Sequence, residues 1–127
     1  MMERKLIENF LRSDVEGDIK QIEDDILFFK RQMLQYENDA EMVEQAKTGL
    51  YEAEAKYIEI SKMRIIIRRA LSLLSPDGKK IIGVRFNKGI IEKWDNVARE
   101  TGIGKTRAAE LYSQFINIIQ TIAQGAK

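Results

Sequence analysis

The chain has 127 residues and a formal net charge of +1, and it contains neither cysteine nor histidine. These absences exclude disulfide frameworks, thiol nucleophiles, histidine bases and the commonest zinc ligands, so catalysis would have to rest on carboxylates or lysine. No apolar run approaches the roughly 18 residues of a membrane span, and residues 3–5 carry charge where a signal peptide would need an apolar core. We therefore expect a cytoplasmic protein without membrane contact, cofactor, metal or enzymatic activity.

The small net charge conceals an asymmetry between the two halves of the chain. Residues 1–61 hold 8 Lys and Arg against 15 Asp and Glu, a net charge of −7, whereas residues 62–127 hold 13 against 5, a net charge of +8. A basic half favours a polyanionic partner such as DNA. The alternative is that the two charged halves keep the protein soluble or dock on each other.

The N-terminal half is predicted to be helical throughout. A short amphipathic helix is expected over residues 3–11, and Ser13 with Glu16 forms a capping box that starts the next helix. Apolar residues then recur at alternating steps of four and three, which is the pattern of a coiled-coil seam. The members of this first seam are Val15, Ile19, Ile22, Ile26, Phe29, Met33 and Tyr36.

A second apolar seam follows in a different phase. Its members are Val43, Ala46, Leu50, Ala53, Tyr57 and Ile60, continued by Ile67, Leu71 and Leu74. Asn38 and Glu41 form another capping box in the gap, which favours a helical hairpin broken there. One continuous helix from Ser13 to Leu74, about 90 Å long, is the alternative in a dimer.

The N-terminal arm, residues 1–61, is expected to form a homodimer. The first seam carries the large side chains of Phe29 and Tyr36, which one helix alone cannot cover. Packing of these side chains within a monomeric hairpin is the alternative.

The C-terminal half is predicted to contain three further helices. Ser75 as N-cap and Pro76 at the first helical position start one helix, whose buried face is formed by Ile81, Ile82, Val84 and Phe86. The segment 87–89 breaks this helix. The next is expected from Ile90 to Glu100 and the last from about Lys105 to Ala123. The apolar and basic stretch 62–74 indicates that the module begins before Pro76.

The residues around Gly102 agree with the register of a helix-turn-helix. A small residue is needed where the two helices cross, and Ala98 supplies it. Four residues later the backbone must take a left-handed turn, which Gly102 permits. The predicted motif core comprises Val97, Ala98, Gly102, Ile103, Ala108 and Leu111. An ordinary helical corner, the alternative, needs the glycine but not the whole set.

The exposed side of the last helix carries the candidate contacts to DNA. Side chains at the start of this helix can hydrogen-bond base edges in a major groove, and they are Lys105, Thr106, Arg107, Glu110 and Ser113, with Gln114 beside them. The residues expected to contact phosphates are Lys79, Lys80, Lys93 and Arg99. A solvated polar face is the alternative.

Two other features of the last helix also carry predictions. A second apolar stripe, formed by Tyr112, Ile116, Ile119 and Ala123, needs a cover, which we expect from residues 63–74 or from a partner chain. Residues 102–106 look like the end of a phosphate-binding loop. Arg99 stands where that motif requires its first glycine, and residues 94–100 are predicted to be helix rather than strand, so we do not expect nucleotide binding.

Residues 71–123 resemble the region-4 helix-turn-helix of bacterial sigma factors. The resemblance rests on Ile-Ile-x-Val-Arg-Phe at 81–86, on a glycine and Trp94 ahead of Val97-Ala98, and on Gly102-Ile103-Gly104 before the last helix. Small phage regulators of late transcription, of the ArpU and RinA type, combine such a module with an upstream helical segment. The resemblance implies promoter binding in a bacterial or phage-infected cell and leaves a contact with RNA polymerase open.

We predict an all-α protein with an N-terminal coiled-coil or helical-hairpin arm, residues 1–61, and a C-terminal helix-turn-helix bundle, residues 62–127. Its expected function is sequence-specific regulation of transcription on double-stranded DNA. The alternatives are a phage DNA-packaging protein of the small-terminase type, a scaffolding oligomer, or a helical adaptor without DNA contact. The mass in solution separates the regulator from the packaging protein, because a dimer favours the regulator and a ring of about eight or more copies favours packaging.

Overall fold

The computed structural model describes residues 2–86 and 91–125, and within these ranges the chain forms six α-helices and no strand. The helices are α1 (Arg4–Arg12), α2 (Val15–Gln35), α3 (Ala40–Ser72), α4 (Pro76–Arg85), α5 (Trp94–Thr101) and α6 (Lys105–Gly125). The all-α class predicted from the sequence is confirmed. Among the described helices, none combines the length and the apolar character that crossing a membrane requires.

The chain divides into two compact units. The arm unit comprises Asp14–Arg64, and the C-terminal unit comprises Met1–Ser13 together with Ile65–Lys127. This division differs in one important respect from the predicted domains, which were residues 1–61 and 62–127. Helix α1 belongs to the C-terminal unit and not to the arm. The physical reason is that α1 has its own contacts with α6, described below.

The arm unit is an antiparallel helical hairpin. Phe29, near the end of α2, lies against Gly49 near the beginning of α3, whereas Glu16, near the start of α2, forms an ion pair of 3.1 Å with Arg64 much further along α3. A Cβ atom at position 49 would overlap the Phe29 ring, so the glycine provides the space that this ring occupies. The helices break at the predicted phase shift, and the continuous helix to Leu74 is not formed.

The core of the arm unit follows the two predicted seams. Ile19 and Ile22 of α2 and Ala46 and Ala53 of α3 are buried, and most other seam members of this unit are half-buried. Tyr36 follows the last residue of α2 and is exposed. Phe29 is half-buried against α3 within one copy of the chain, so its large side chain no longer indicates a homodimer.

Both helix starts in the arm unit lie one residue beyond the predicted caps. Asp14 caps α2 in place of Ser13, which ends α1, and Asp39 takes the position predicted for Asn38. Each aspartate Oδ1 accepts a hydrogen bond from the backbone N–H three residues further on, at 3.1 Å and 3.2 Å respectively. A carboxylate performs the same capping as a hydroxyl or amide and also favours the positive end of the helix.

The C-terminal unit contains a three-helix core formed by α4, α5 and α6, which pack against one another in all three pairs. As predicted, α4 begins at Pro76, and the Ser75 hydroxyl accepts a hydrogen bond of 3.2 Å from the N–H of Gly78. The buried side chains of the core are Ile81, Val97, Ala108 and Leu111, and the half-buried Val84, Trp94 and Ile103 pack against them.

Helix α5 begins later than predicted, at Trp94. The N–H of Glu92 donates to the carbonyl of Arg85 at 2.8 Å, and the Arg85 guanidinium donates to the carbonyl of Glu92 and lies 4.1 Å from the centroid of the Trp94 ring. Residues 91–93 therefore bridge to the end of α4 instead of forming helix. The predicted start at Ile90 and the predicted break at 87–89 lie outside the described residues.

The second apolar stripe of α6 is buried in part against α1. Tyr112 donates a hydrogen bond of 2.6 Å from its hydroxyl to Glu8, and the side chain of Gln120 donates one of 3.0 Å to the carbonyl of Met2. Ile7 of α1 and Ile119 of α6 have no exposed surface. The sequence predicted a cover from residues 63–74 or from a partner chain. Buried residues of that stretch belong to the same unit, but α1 was not foreseen as a cover.

Candidate nucleic-acid interface

The turn between α5 and α6 depends on one glycine and one threonine. Gly102 has a φ of +75°, the left-handed region that favours glycine, and its N–H donates to the carbonyl of Ala98 at 2.9 Å. The Thr101 hydroxyl donates to the carbonyl of Val97 at 2.7 Å and accepts from the N–H of Ile103 at 3.2 Å. Both residues therefore fix the path of residues 102–104. Thr101 was not singled out in the sequence, although a hydroxyl directly before a turn glycine is suited to this role.

The predicted motif core is brought together behind this turn. Val97 and Ala108 have no exposed surface, Leu111 is 3% exposed, and Ile103 packs on the same cluster. Ala98 is half-buried. Because this face of α6 is buried, helical periodicity requires that positions 105–107, 110 and 113 face away from the core.

A shallow, open groove lies along the exposed face of α6. Its lining residues are Thr106, Ala109, Glu110, Ser113, Gln114 and Asn117. The predicted base-contacting residues Thr106, Glu110 and Ser113 are thus brought together, while Lys105 and Arg107 are exposed beside the groove. Asn117 was missed, because the prediction stopped one helical turn too early. Asn117 lies four residues after Ser113, and this spacing, which places both on one face of a helix, could have identified it.

Both cations at the start of α6 already have carboxylate partners. The Nζ of Lys105 lies 2.6 Å from Oδ1 of Asp95, and Nη1 of Arg107 lies 3.6 Å from Oε2 of Glu110. The hydrogen bond from Lys105 lowers the pKa of Asp95. All four side chains are more than half exposed, so these contacts are weak and can exchange for contacts with phosphate.

The four residues predicted to contact phosphates are exposed, and they lie on α4, on α5 and directly before α5 rather than on α6. Lys79 and Lys80 lie on α4, Lys93 is the residue directly before α5, and Arg99 is near the end of α5, where it donates a hydrogen bond of 2.7 Å to Asn96. Lys93 and Arg99 therefore stand near the two ends of the helix that precedes the turn.

Comparison with protein-family models, with curated proteins and with solved structures found no match to this chain. The resemblance to sigma region 4 and to small phage regulators consequently rests on the residues quoted above.

Tyr112 links the inner side of α6 to α1, α4 and α5. Its ring centroid lies 5.5 Å from that of Trp94 and 5.8 Å from that of Phe86, and the Arg4 guanidinium lies 5.0 Å away. Burial raises the pKa of Tyr112 well above its ordinary value, and the hydrogen bond to Glu8 raises it further. The phenol therefore stays protonated in the folded protein at a pH where an unfolded tyrosine ionises.

Tyr112→Phe is expected to lower the free energy of unfolding by about 1.5–3 kcal/mol at neutral pH, since it removes a hydrogen bond to a charged group. Because the pKa of Tyr112 is raised in the folded protein, the stabilisation that its phenol provides is fully present below the ordinary pKa of 10.0. This stabilisation is lost as the pH rises above that value. The difference between wild type and variant should shrink by up to about 1.4 kcal/mol per pH unit there. Urea unfolding across this pH range measures it.

Tyr51→Phe is the control for this prediction. Tyr51 is 78% exposed, so removing its hydroxyl should leave stability nearly unchanged at every pH. A constant difference between wild type and Tyr112→Phe above the ordinary tyrosine pKa would contradict the burial of the phenol.

Proposed function

We propose that this protein is a sequence-specific regulator of transcription that binds double-stranded DNA with the exposed face of α6. The observation that carries the proposal is the left-handed turn at Gly102, with an apolar cluster behind it and a groove lined mainly by polar residues in front. In a helix-turn-helix, the second helix enters the major groove and its first turns contact base edges. The geometry of α5, the turn and α6 supports such an entry.

The groove residues have side chains suited to reading base edges. Glu110 can accept a hydrogen bond from the exocyclic amine of cytosine, and Asn117 can form two hydrogen bonds with adenine. Thr106 and Ser113 can donate to or accept from several bases. Lys105 and Arg107 flank the groove, where they can contact guanine or phosphate after leaving their carboxylate partners.

The positive charge of the C-terminal half supports binding to the DNA backbone. The exposed cations on or directly beside the two helices that precede α6 are Lys79, Lys80, Lys93 and Arg99. Phosphate contacts from such positions can set the orientation of the recognition helix. The acidic arm is unsuited to the same polyanion. We further propose that the arm pairs two copies of the chain and that the regulator acts in the cytoplasm of a bacterial or phage-infected cell, with RNA polymerase as a second partner.

Selection of bound duplexes from a random DNA library tests the function directly. A regulator of this kind should enrich one sequence motif, with two related half-sites if the protein is a dimer. Failure to enrich any motif, together with equal affinity for all duplexes, would reject sequence-specific binding and favour the packaging alternative.

Replacing Thr106 or Glu110 with alanine is expected to weaken binding to the selected site by about 1–3 kcal/mol, because each change removes a base contact. Affinity for random duplex should not fall, and for Glu110→Ala it should rise slightly because an acidic group is lost. Fluorescence anisotropy with both duplexes measures the two effects.

Gln124→Ala is the matched control, since Gln124 is exposed on α6 but lies outside the groove. It should bind both duplexes as the wild type does. An equal loss on specific and random DNA in the Thr106 variant would contradict base recognition by this face.

A further inference from the structure

An exposed stripe runs along α2, and we refer to it as the α2 stripe. It contains two leucines, Leu27 and Leu34, which are 48% and 74% exposed, and five exposed charged residues, Lys20, Glu23, Asp24, Lys30 and Arg31. Spacings of three, four and seven place all seven residues on one side of the helix. The leucines are therefore not part of the hairpin core, and within one copy they remain in contact with water.

The order of charges along the α2 stripe is self-complementary. Two acidic residues, Glu23 and Asp24, precede Leu27 by four and three positions, and two basic residues, Lys30 and Arg31, follow it by three and four positions. An identical helix running in the opposite direction, centred on Leu27, brings each acidic pair opposite the basic pair of the other copy. A two-fold axis doubles every contact, so four opposite-charge pairs surround the two Leu27 side chains.

We propose that two copies of this chain associate through the α2 stripe, with their α2 helices antiparallel and Leu27 at the two-fold axis. The proposal rests on the homodimer proposed above and identifies the surface that forms it. Leu34 comes opposite Lys20 of the second copy, and the aliphatic stem of that lysine covers the leucine. A parallel arrangement in the same register would bring like charges side by side, so the charge order selects the antiparallel one.

Charge reversal in the full-length chain tests the surface. One variant carries Glu23→Arg with Asp24→Lys, and the other carries Lys30→Glu with Arg31→Glu. Alone, each variant brings like charges together at all four pairs, and its dimer Kd should rise by about tenfold or more. An equimolar mixture restores opposite charges at every pair, so a heterodimer as stable as the wild-type dimer is expected. Sedimentation equilibrium measures the wild type, the two variants and their mixture.

The double variant Glu52→Arg with Lys56→Glu is the control, because both residues are exposed on α3 and lie outside the α2 stripe. Its dimer Kd should equal that of the wild type. Circular dichroism of every variant verifies that the helices are intact, since reversed charges in α2 also change contacts within the helix.

The possible outcomes separate this inference from the proposals on which it rests. Loss of the dimer in each variant and its recovery in the mixture support the α2 stripe. A wild-type dimer that both variants leave unchanged overturns the stripe but keeps the homodimer. A wild type that is monomeric at about 0.1 mM, or that forms a ring, overturns both. DNA binding, measured on the same samples, tests the regulator function separately, because a stable dimer without DNA affinity leaves the surface standing.

Discussion

Ile119→Asp is expected to lower the free energy of unfolding of the C-terminal unit by about 4 kcal/mol, because it puts an unpaired charge into the apolar interior. Ile119 has no exposed surface, and Ile116 and Tyr112 on the same stripe are 3% and 1% exposed. The new carboxylate must either ionise without water or stay protonated at neutral pH, and both are costly. Urea unfolding followed by circular dichroism measures the loss.

Thr121→Asp is the matched control for this change. Thr121 lies two residues further along α6 and is exposed, so the same carboxylate there stays in water and should change stability by less than about 0.5 kcal/mol. Equal stability of the Ile119 and Thr121 variants would mean that the second apolar stripe of α6 is not covered in solution.

The helices of the arm could be predicted from the sequence because the apolar spacing that indicates each of them lies within the helix itself. The steps of three and four place Ile19 and Ile22 on one face of a helix, and the change of phase after Tyr36 marks the break. What the pattern did not contain is the role of Gly49. Its low helix propensity argues against a helix interior, and only the presence of Phe29 on the opposite helix explains it.

The position of α1 illustrates the limit of local patterns. A nine-residue amphipathic helix indicates that one face will be buried, but not which part of the chain will cover it. Its hydrogen bond from Tyr112 to Glu8 joins residues 104 positions apart. The sequence instead favoured residues 63–74, the nearest apolar stretch before the module, or a partner chain as the cover, because an apolar stripe does not identify the segment that packs on it.

The start of α5 shows tertiary contacts overriding helical periodicity. Ile91, Trp94 and Val97 have helical spacing, which predicted a helix from Ile90. The bonds between Arg85 and Glu92 keep residues 91–93 extended enough to reach the end of α4, so the helix begins only at Trp94. A propensity of a few tenths of a kcal/mol per residue does not outweigh two hydrogen bonds and a stacked guanidinium.

At the candidate interface, the exposed face of α6 could be predicted because burial of its opposite face determines it. The ion pair of Lys105 with Asp95 could not, since it joins two helices across the turn. It bears on the proposed function, because the cation nearest the start of α6 must leave a carboxylate before it contacts DNA.

Gly102→Val is expected to lower the free energy of unfolding by about 1–3 kcal/mol, because a β-branched residue strongly disfavours the left-handed backbone that this turn requires. A clash of the new Cβ atom with its surroundings is not the cause, since a Cβ at this position meets nothing within 4 Å. The effect should therefore come mainly from the left-handed backbone, which has a φ of +75°. Thermal unfolding measures the loss, and anisotropy with the selected duplex measures the accompanying change in DNA affinity.

Gly102→Asn separates backbone conformation from loss of the glycine as such. Asparagine tolerates the left-handed region far better than valine, so this variant should lose much less stability and keep most of its DNA affinity. If valine and asparagine prove equally harmless, the turn does not adopt the left-handed conformation in solution. The direction in which α6 leaves α5 would then no longer follow from Gly102, and the proposed entry of α6 into a major groove would lose the observation that carries it.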